Sequence, residues 1–228
     1  MNTELVVLDM AGTTVEDDGL VVRAFTAAIG AAGVSEKDER FARMLDYVHE
    51  TMGQSKITVF RALLEDDSLA VRANDEFQVA YQKLIAEGHC SAIPGAEETI
   101  RALRDDGVRV ALTTGFAPAT QNAILDALGW QDLADLVLAP GEGIRGRPFP
   151  DLVLAAALTL EVTDVRRIAV AGDTPSDVLT GVRSGAAVVA GVLTGAGKRD
   201  ELAETGATHV LDSVRDLPAV LAQGSNRS

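Results

Sequence analysis

Cysteine is almost absent. Cys90 is the single one in 228 residues, which excludes an intrachain disulfide and fits a reducing compartment. No apolar run approaches the roughly 20 residues that span a bilayer. The start, Met1-Asn2-Thr3-Glu4, lacks the basic residues and the long apolar stretch of a signal peptide. A soluble cytoplasmic protein is therefore expected. Positive charge is scarce too: 20 Lys and Arg stand against 34 Asp and Glu, giving a formal net charge of −14 and a pI near 4.5. Nucleic acid and anionic membranes repel such a chain, and neither is expected as a partner. An anionic substrate would need local positive charge, and a metal ion would supply it. Lysine itself is rare, confined to Lys37, Lys56, Lys83 and Lys198.

What is present is ordinary for a globular protein: 47% apolar and 24% charged residues. Leu5-Val6-Val7-Leu8 is a short apolar run ending in Asp9, and it reads as a buried strand. Helical patterns follow at about Leu20–Ala32, Glu36–Tyr47, Lys56–Leu64 and Leu69–Glu87, with no strand between them. From Ile93 onward helices and strands alternate. The strands are Val108–Thr113, Leu136–Leu138, Ile168–Ala171, Ala187–Val192 and His209–Leu211. The helices are Ala96–Arg104, Ala119–Leu128, Asp151–Leu158, Ser176–Ser184 and one near Val214–Leu221. Alternation of this kind implies an α/β fold, a doubly wound, Rossmann-like parallel sheet covered on both faces. The expected organisation is a core of residues 1–15 and 92–228 with a helical cap, residues 16–91, inserted after the first strand. Glu16-Asp17-Asp18-Gly19 and the Pro- and Gly-bearing stretch 88–95 read as its two connectors.

Ligands of open parallel sheets sit beyond the carboxyl ends of the strands. Those ends carry Asp9-Met10-Ala11-Gly12-Thr13-Thr14, Thr113-Thr114-Gly115-Phe116 and Gly172-Asp173-Thr174-Pro175-Ser176-Asp177; Gly146-Arg147-Pro148 precedes a helix. Three carboxylates on one edge repel one another unless a cation neutralises them. Mg²⁺ is the hard cation that takes one or two carboxylates together with water and phosphate oxygens. Arg147 and Thr114 are then candidates for the remaining phosphate oxygens.

The order and spacing of these four motifs resemble the haloacid dehalogenase superfamily. The resemblance makes Asp9 the nucleophile, Thr114 the hydroxyl of the second motif and Arg147 the basic residue of the third. It makes Asp173 and Asp177 the acidic pair of the fourth, and gives Mg²⁺ to Asp9, Ala11, Asp173 and Asp177. Asp9-x-Ala11-Gly12-Thr13-Thr14 departs from the usual Asp-x-Asp, whose second acid protonates a leaving group. With Arg147 and Met52-Gly53-Gln54-Ser55-Lys56-Ile57, it is similar to the phosphonatase family. In that family a cap lysine forms a Schiff base with an aldehyde phosphonate, and Ala11 would offer its carbonyl to the metal. Breaking P–C leaves a carbanion that an acid hardly stabilises, whereas a protonated imine accepts the electrons as an enamine. The resemblance assigns Gly12, Thr13, Met52, Gly53, Gly115 and Phe116 to substrate binding. Around the carbon end the chain departs from the family: Met10 stands for Trp, Gly19 for Cys, Val59 for His and Phe116 for Tyr.

The expected function is therefore a Mg²⁺-dependent, phosphonatase-like hydrolase releasing phosphate from a small phosphonate through an aspartyl phosphate. A phosphatase of small phosphate esters and a non-catalytic sensor of a phosphorylated ligand are the alternatives. Plain structural readings stay open as well. Asp9 can cap a loop, Asp173 or Asp177 can serve a helix N-terminus, and Lys56 can be a solvated helix-start residue. His49, His89 and His209 carry no signal, Cys90 reads as a small apolar filler, and Trp130 as packing. A monomer and a homodimer are both compatible with the sequence.

Overall fold

The computed structural model describes residues 3–225. Six strands form one parallel sheet: β1 (Leu5–Asp9), β2 (Arg109–Thr113), β3 (Leu136–Leu138), β4 (Ile168–Gly172), β5 (Val188–Val192) and β6 (His209–Leu211), in the order β3-β2-β1-β4-β5-β6. β1 lies at the centre, pairing with β2 through Asp9 opposite Thr113 and with β4 through Leu8 opposite Ala171. The chain winds outward from β1 in both directions, so the crevice at its carboxyl end is where such sheets bind ligands.

β1 is apolar throughout because both its faces are covered. Val6 and Leu8 join Val110, Leu112, Ala169 and Ala171 in one core. Leu5 and Val7 point the other way, to Ala111, Ile168, Val170 and, from the helix Asp151–Thr159, Val153 and Ala156. The period-2 alternation of strand side chains produces this division. Truncating Leu8, wholly buried, to Ala would cost about 2–5 kcal/mol.

Helices α1 (Leu20–Ala31), α2 (Glu39–Glu50), α3 (Lys56–Leu64) and α4 (Asp67–Ala86) lie between β1 and α5 (Ala96–Asp105). The rest are α6 (Pro118–Leu128), α7 (Asp151–Thr159), α8 (Pro175–Ser184), α9 (Arg199–Thr205) and α10 (Leu217–Ser225). The doubly wound α/β reading is borne out, with differences at element ends. α2 starts three residues later than expected because the Asp38 carboxylate accepts from the Arg40 N–H and caps it there. α9 has no counterpart in the sequence reading, being seven residues with Leu202 alone buried. The last helix is split into a 3₁₀ turn, Val214–Asp216, and α10. No helix among the described residues is long and apolar enough to cross a membrane.

The chain leaves and re-enters the sheet region through two strands of backbone lying side by side. Ile93 N–H donates to Thr14 O and Glu16 N–H to Ser91 O, each at 2.9 Å. Ser91 Oγ adds a 2.7 Å bond to Glu16 Oε2. Aromatic residues are few, yet five of them form one continuous run. Phe25 stacks on Phe60 at 5.1 Å, and Phe60 meets Phe77. Phe77 and Tyr81 of α4 both meet Phe116, which follows β2, at 6.2 and 4.6 Å. This run packs α1, α3 and α4 against the carboxyl edge of the sheet.

Candidate active site

A cavity of about 480 Å³ opens over the carboxyl end of β1. Asp9, Ala11, Met52, Gly53, Lys56, Thr114, Gly115, Phe116, Arg147 and Asp173 all line it. Three predicted residues do not: Gly12, Thr13 and Asp177 stand behind the wall. Thr13 Oγ1 donates to Asp173 Oδ1 at 3.2 Å. Gly12 turns at φ 81°, and a Cβ there would lie 2.5 Å from Asp173 Oδ2, so only glycine lets the loop pass so close to that carboxylate. Asp173 is fixed from a third side by the Ala196 N–H, 2.8 Å from Oδ2.

Arg147 is the hub. Its Nη2 lies 2.6 Å from Asp9 Oδ1 and its Nε 2.8 Å from Asp177 Oδ1, with all three side chains buried. Nη2 also donates to Thr113 Oγ1 at 2.7 Å, and Nη1 to the Gly53 carbonyl at 3.4 Å. Arginine offers five donors in a planar fork, enough to serve these four acceptors. Asp177 spends its other oxygen on Thr174, forming a reciprocal capping box at the start of α8. The helix-cap reading of Asp177 is thus seen in the structure, and the same side chain stands beside Asp9 and Asp173.

Asp9, Asp173 and Asp177 each bring a carboxylate oxygen within 4.8 Å of the others. Burial pushes the Asp9 carboxyl well above the usual range; Arg147 opposes this, while Asp177 and Asp173 add to it. Asp173 is pushed up to about 7 by burial and by Asp177. Buried carboxylates that resist ionisation need a compensating cation. The set is all oxygen, which suits a hard divalent ion.

Lys56 opens α3 and reaches the same cavity from the helical segment. Its Nζ lies 5.3 Å from the centre of the Phe116 ring. Burial lowers the ammonium to about 8, against the pull of Asp17 and Asp9. The loop before it is pressed onto the sheet edge. A Cβ on Gly115 would lie 2.7 Å from the carbonyl oxygens of both Gly53 and Gln54, and one on Gly53 2.5 Å from Thr174 Oγ1. His49, His89 and His209 are exposed and none lines the cavity. Trp130 is buried, donating to Glu97.

Sequence reasoning missed several lining or supporting groups. Thr113 is the neighbour of a motif residue, and its alternation off β2 toward Arg147 could have flagged it. Asp17 lies in a connector with no motif around it. Thr194, which donates to the Gly12 carbonyl at 2.7 Å, follows β5 and carried no pattern.

Fold and cavity define a hydrolase of the haloacid dehalogenase type. The haloacid dehalogenase-like hydrolase family model matches residues 3–185, and the chain belongs to that family. It is 28% identical to a phosphonoacetaldehyde hydrolase of Bordetella pertussis, over 98% of this chain and 93% of the relative. It is 26% identical to a probable phosphatase, IndB, of Dickeya dadantii, over 93% and 91%. Among solved structures, a phosphonoacetaldehyde hydrolase-like protein of Oleispira antarctica superposes with a TM-score of 0.83 at 25% identity, covering 100% of this chain and 94% of that one. The resemblance read from the motifs is thus borne out.

Proposed function

We propose that the protein is a Mg²⁺-dependent, phosphonatase-like hydrolase that releases phosphate from a small phosphonate bearing a carbonyl group β to phosphorus. The observation that carries this reading is the meeting in one cavity of Asp9 and Lys56, with Ala11 between the sheet and the ligand space where a proton-donating acid would otherwise stand. The likeness to phosphonoacetaldehyde hydrolases supports it.

Asp9, Asp173 and the Ala11 carbonyl are the groups suited to the ion, and Asp177 adds charge behind them. When bound, a divalent cation supplies positive charge for the carboxylates and for the phosphoryl oxygens of the substrate. Thr114 and Arg147 bind the other oxygens, and the Arg147 guanidinium leaves Asp9 to do so. Lys56, as a neutral amine, condenses with the carbonyl and expels water. A carboxylate oxygen of Asp9 attacks phosphorus in line. The P–C bond breaks and its electron pair enters the iminium to give an enamine, which protonation and hydrolysis release from Lys56. Water then attacks phosphorus of the aspartyl phosphate, freeing phosphate and Asp9. Residues 16–91 act as a cap on the core of 1–15 and 92–228, moving on the paired connectors to admit substrate.

Borohydride reduction in the presence of a 2-oxoalkyl phosphonate tests the reading. A mass adduct on Lys56, with phosphate release in its absence, is expected. No adduct, together with phosphate release from small phosphate esters, would replace it with an ester phosphatase, the reading that the likeness to a probable phosphatase favours.

A further inference from the structure

Imine chemistry at Lys56 needs a proton for the departing hydroxyl and an acceptor when water returns. Among the described residues, no histidine, cysteine or tyrosine lines the cavity. Besides Asp9 and Asp173, at the phosphoryl end, its carboxylates are Glu16, Asp17 and Asp18. Glu16 is engaged by Ser91 Oγ at 2.7 Å, and Asp18 is exposed. Asp17 remains, half-buried and facing the cavity on which Lys56 also opens.

The plain reading of Asp17 is a helix cap, because its Oδ1 accepts the Val21 N–H at 3.2 Å at the start of α1. A carboxylate that only capped would be held ionised by the helix N-terminus and drawn below its ordinary range. Asp17 goes the other way: burial raises it, against the Val21 N–H and the charge of Lys56. Reciprocally, Asp17 is the largest charge holding Lys56 protonated. No ion pair joins the two among the described residues, and both line the one cavity. The other groups that act on this corner are Asp18 and Tyr81.

We propose that Asp17 is the proton donor and acceptor of the Lys56 carbonyl chemistry, a catalytic residue for the carbon end of the substrate; this rests on the phosphonatase-like reading above. The Lys56 amine lone pair forms C–N, and the carbonyl π pair moves to oxygen, which takes up the amine proton. The nitrogen pair then forms C=N while the C–O pair leaves with the hydroxyl, and the Asp17 carboxylic proton completes the water. The Asp17 carboxylate left behind faces the iminium as its counter-ion, and takes the proton back when water adds to release the product.

The test follows adduct formation on Lys56 with excess borohydride and 2-oxopropylphosphonate. Asp17→Asn keeps an oxygen for the Val21 N–H but cannot donate an acid proton; adduct formation is expected to slow about 100-fold. Asp17→Glu is expected to recover to within about tenfold of the wild type. The melting-temperature shift given by Mg²⁺ with inorganic phosphate reports the phosphoryl end, and is expected to be the same in all three proteins. Wild-type adduct formation in Asp17→Asn overturns the proposal. So does an Asp17→Glu variant as slow as Asp17→Asn, or loss of the phosphate shift alongside the adduct, which marks a structural role. A wild type that forms no adduct fails the imine reading itself and the proposal with it.

Discussion

Arg147 Nη2 sits 2.6 Å from Asp9 Oδ1, so the guanidinium occupies the atom that the proposed chemistry needs as a nucleophile. A carboxylate oxygen held this way is blocked. An incoming phosphoryl group that draws the fork away would free it at the moment of binding. Lysine, a single point charge, cannot bridge Asp9, Asp177 and Thr113 together. Arg147→Lys is expected to lower kcat/KM for phosphate release by about 10- to 100-fold. One lost charge-assisted bond, worth about 1.5–3 kcal/mol, gives that range. Asp9→Asn is expected to lower kcat on the order of 10⁴-fold, measured as phosphate release; retained turnover would remove Asp9 from the nucleophile's role.

The acidic cluster makes metal affinity depend on pH. Asp173 is pushed up to about 7 by burial and by Asp177, and a divalent ion must displace its proton. Below pH 7 the proton competes; above it the carboxylate is free. The rise in melting temperature produced by Mg²⁺ is expected to be full at pH 8 and to shrink steadily toward pH 6. Asp173→Asn is expected to abolish most of the shift at every pH. Calorimetry with and without Mg²⁺ checks both, and a shift independent of pH would count against Asp173 as a ligand.

Lys56 carries the next expectation. Burial lowers its ammonium to about 8, and only the neutral amine adds to a carbonyl. The rate at which an amine-selective acylating reagent labels Lys56 should therefore climb with pH through about 8 and level off above it. An ordinary lysine, near 10.4, would still be climbing at pH 10, and that outcome would show Lys56 to be solvated.

The sheet and the polar cluster at its carboxyl edge were legible in the sequence because each needs local signals. β1 is buried on both faces and therefore uniformly apolar, and Asp9, Thr114, Arg147 and Asp173 follow strands or precede a helix at readable offsets. Pattern reading went astray where one side chain sets an element's end, as Asp38 does for α2. α9 escaped it because a seven-residue helix with a single buried residue has no periodicity to read. The Lys56 side of the cavity was harder still. Asp17 shares the cavity with Lys56 because α1 and α3 both pack on α4, and the 38 intervening positions carry no trace of that meeting in their spacing. Thr113 likewise acquires its part only once Arg147, from a distant loop, lies beside β2.

The seat of the Lys56 loop gives the sharpest steric prediction. Gly115 faces the carbonyl oxygens of Gly53 and Gln54, and an added Cβ would lie 2.7 Å from each. Both neighbours are backbone, so neither can swing aside as a side chain would. The seated loop must lift, carrying Lys56 away from Phe116 and withdrawing Gly53 O from Arg147. Overpacking of this kind costs about 1–3 kcal/mol, which converts to about tenfold to a hundredfold in kcat/KM. Gly115→Ala is expected to lose that much, with the adduct on Lys56 slowed in proportion. Gly141 is the control: a Cβ there meets nothing within 4 Å, and Gly141→Ala should leave phosphate release within about twofold, in line with the small effects of unconstrained surface positions. Equal losses in the two variants would show that the loop seat has no part in turnover.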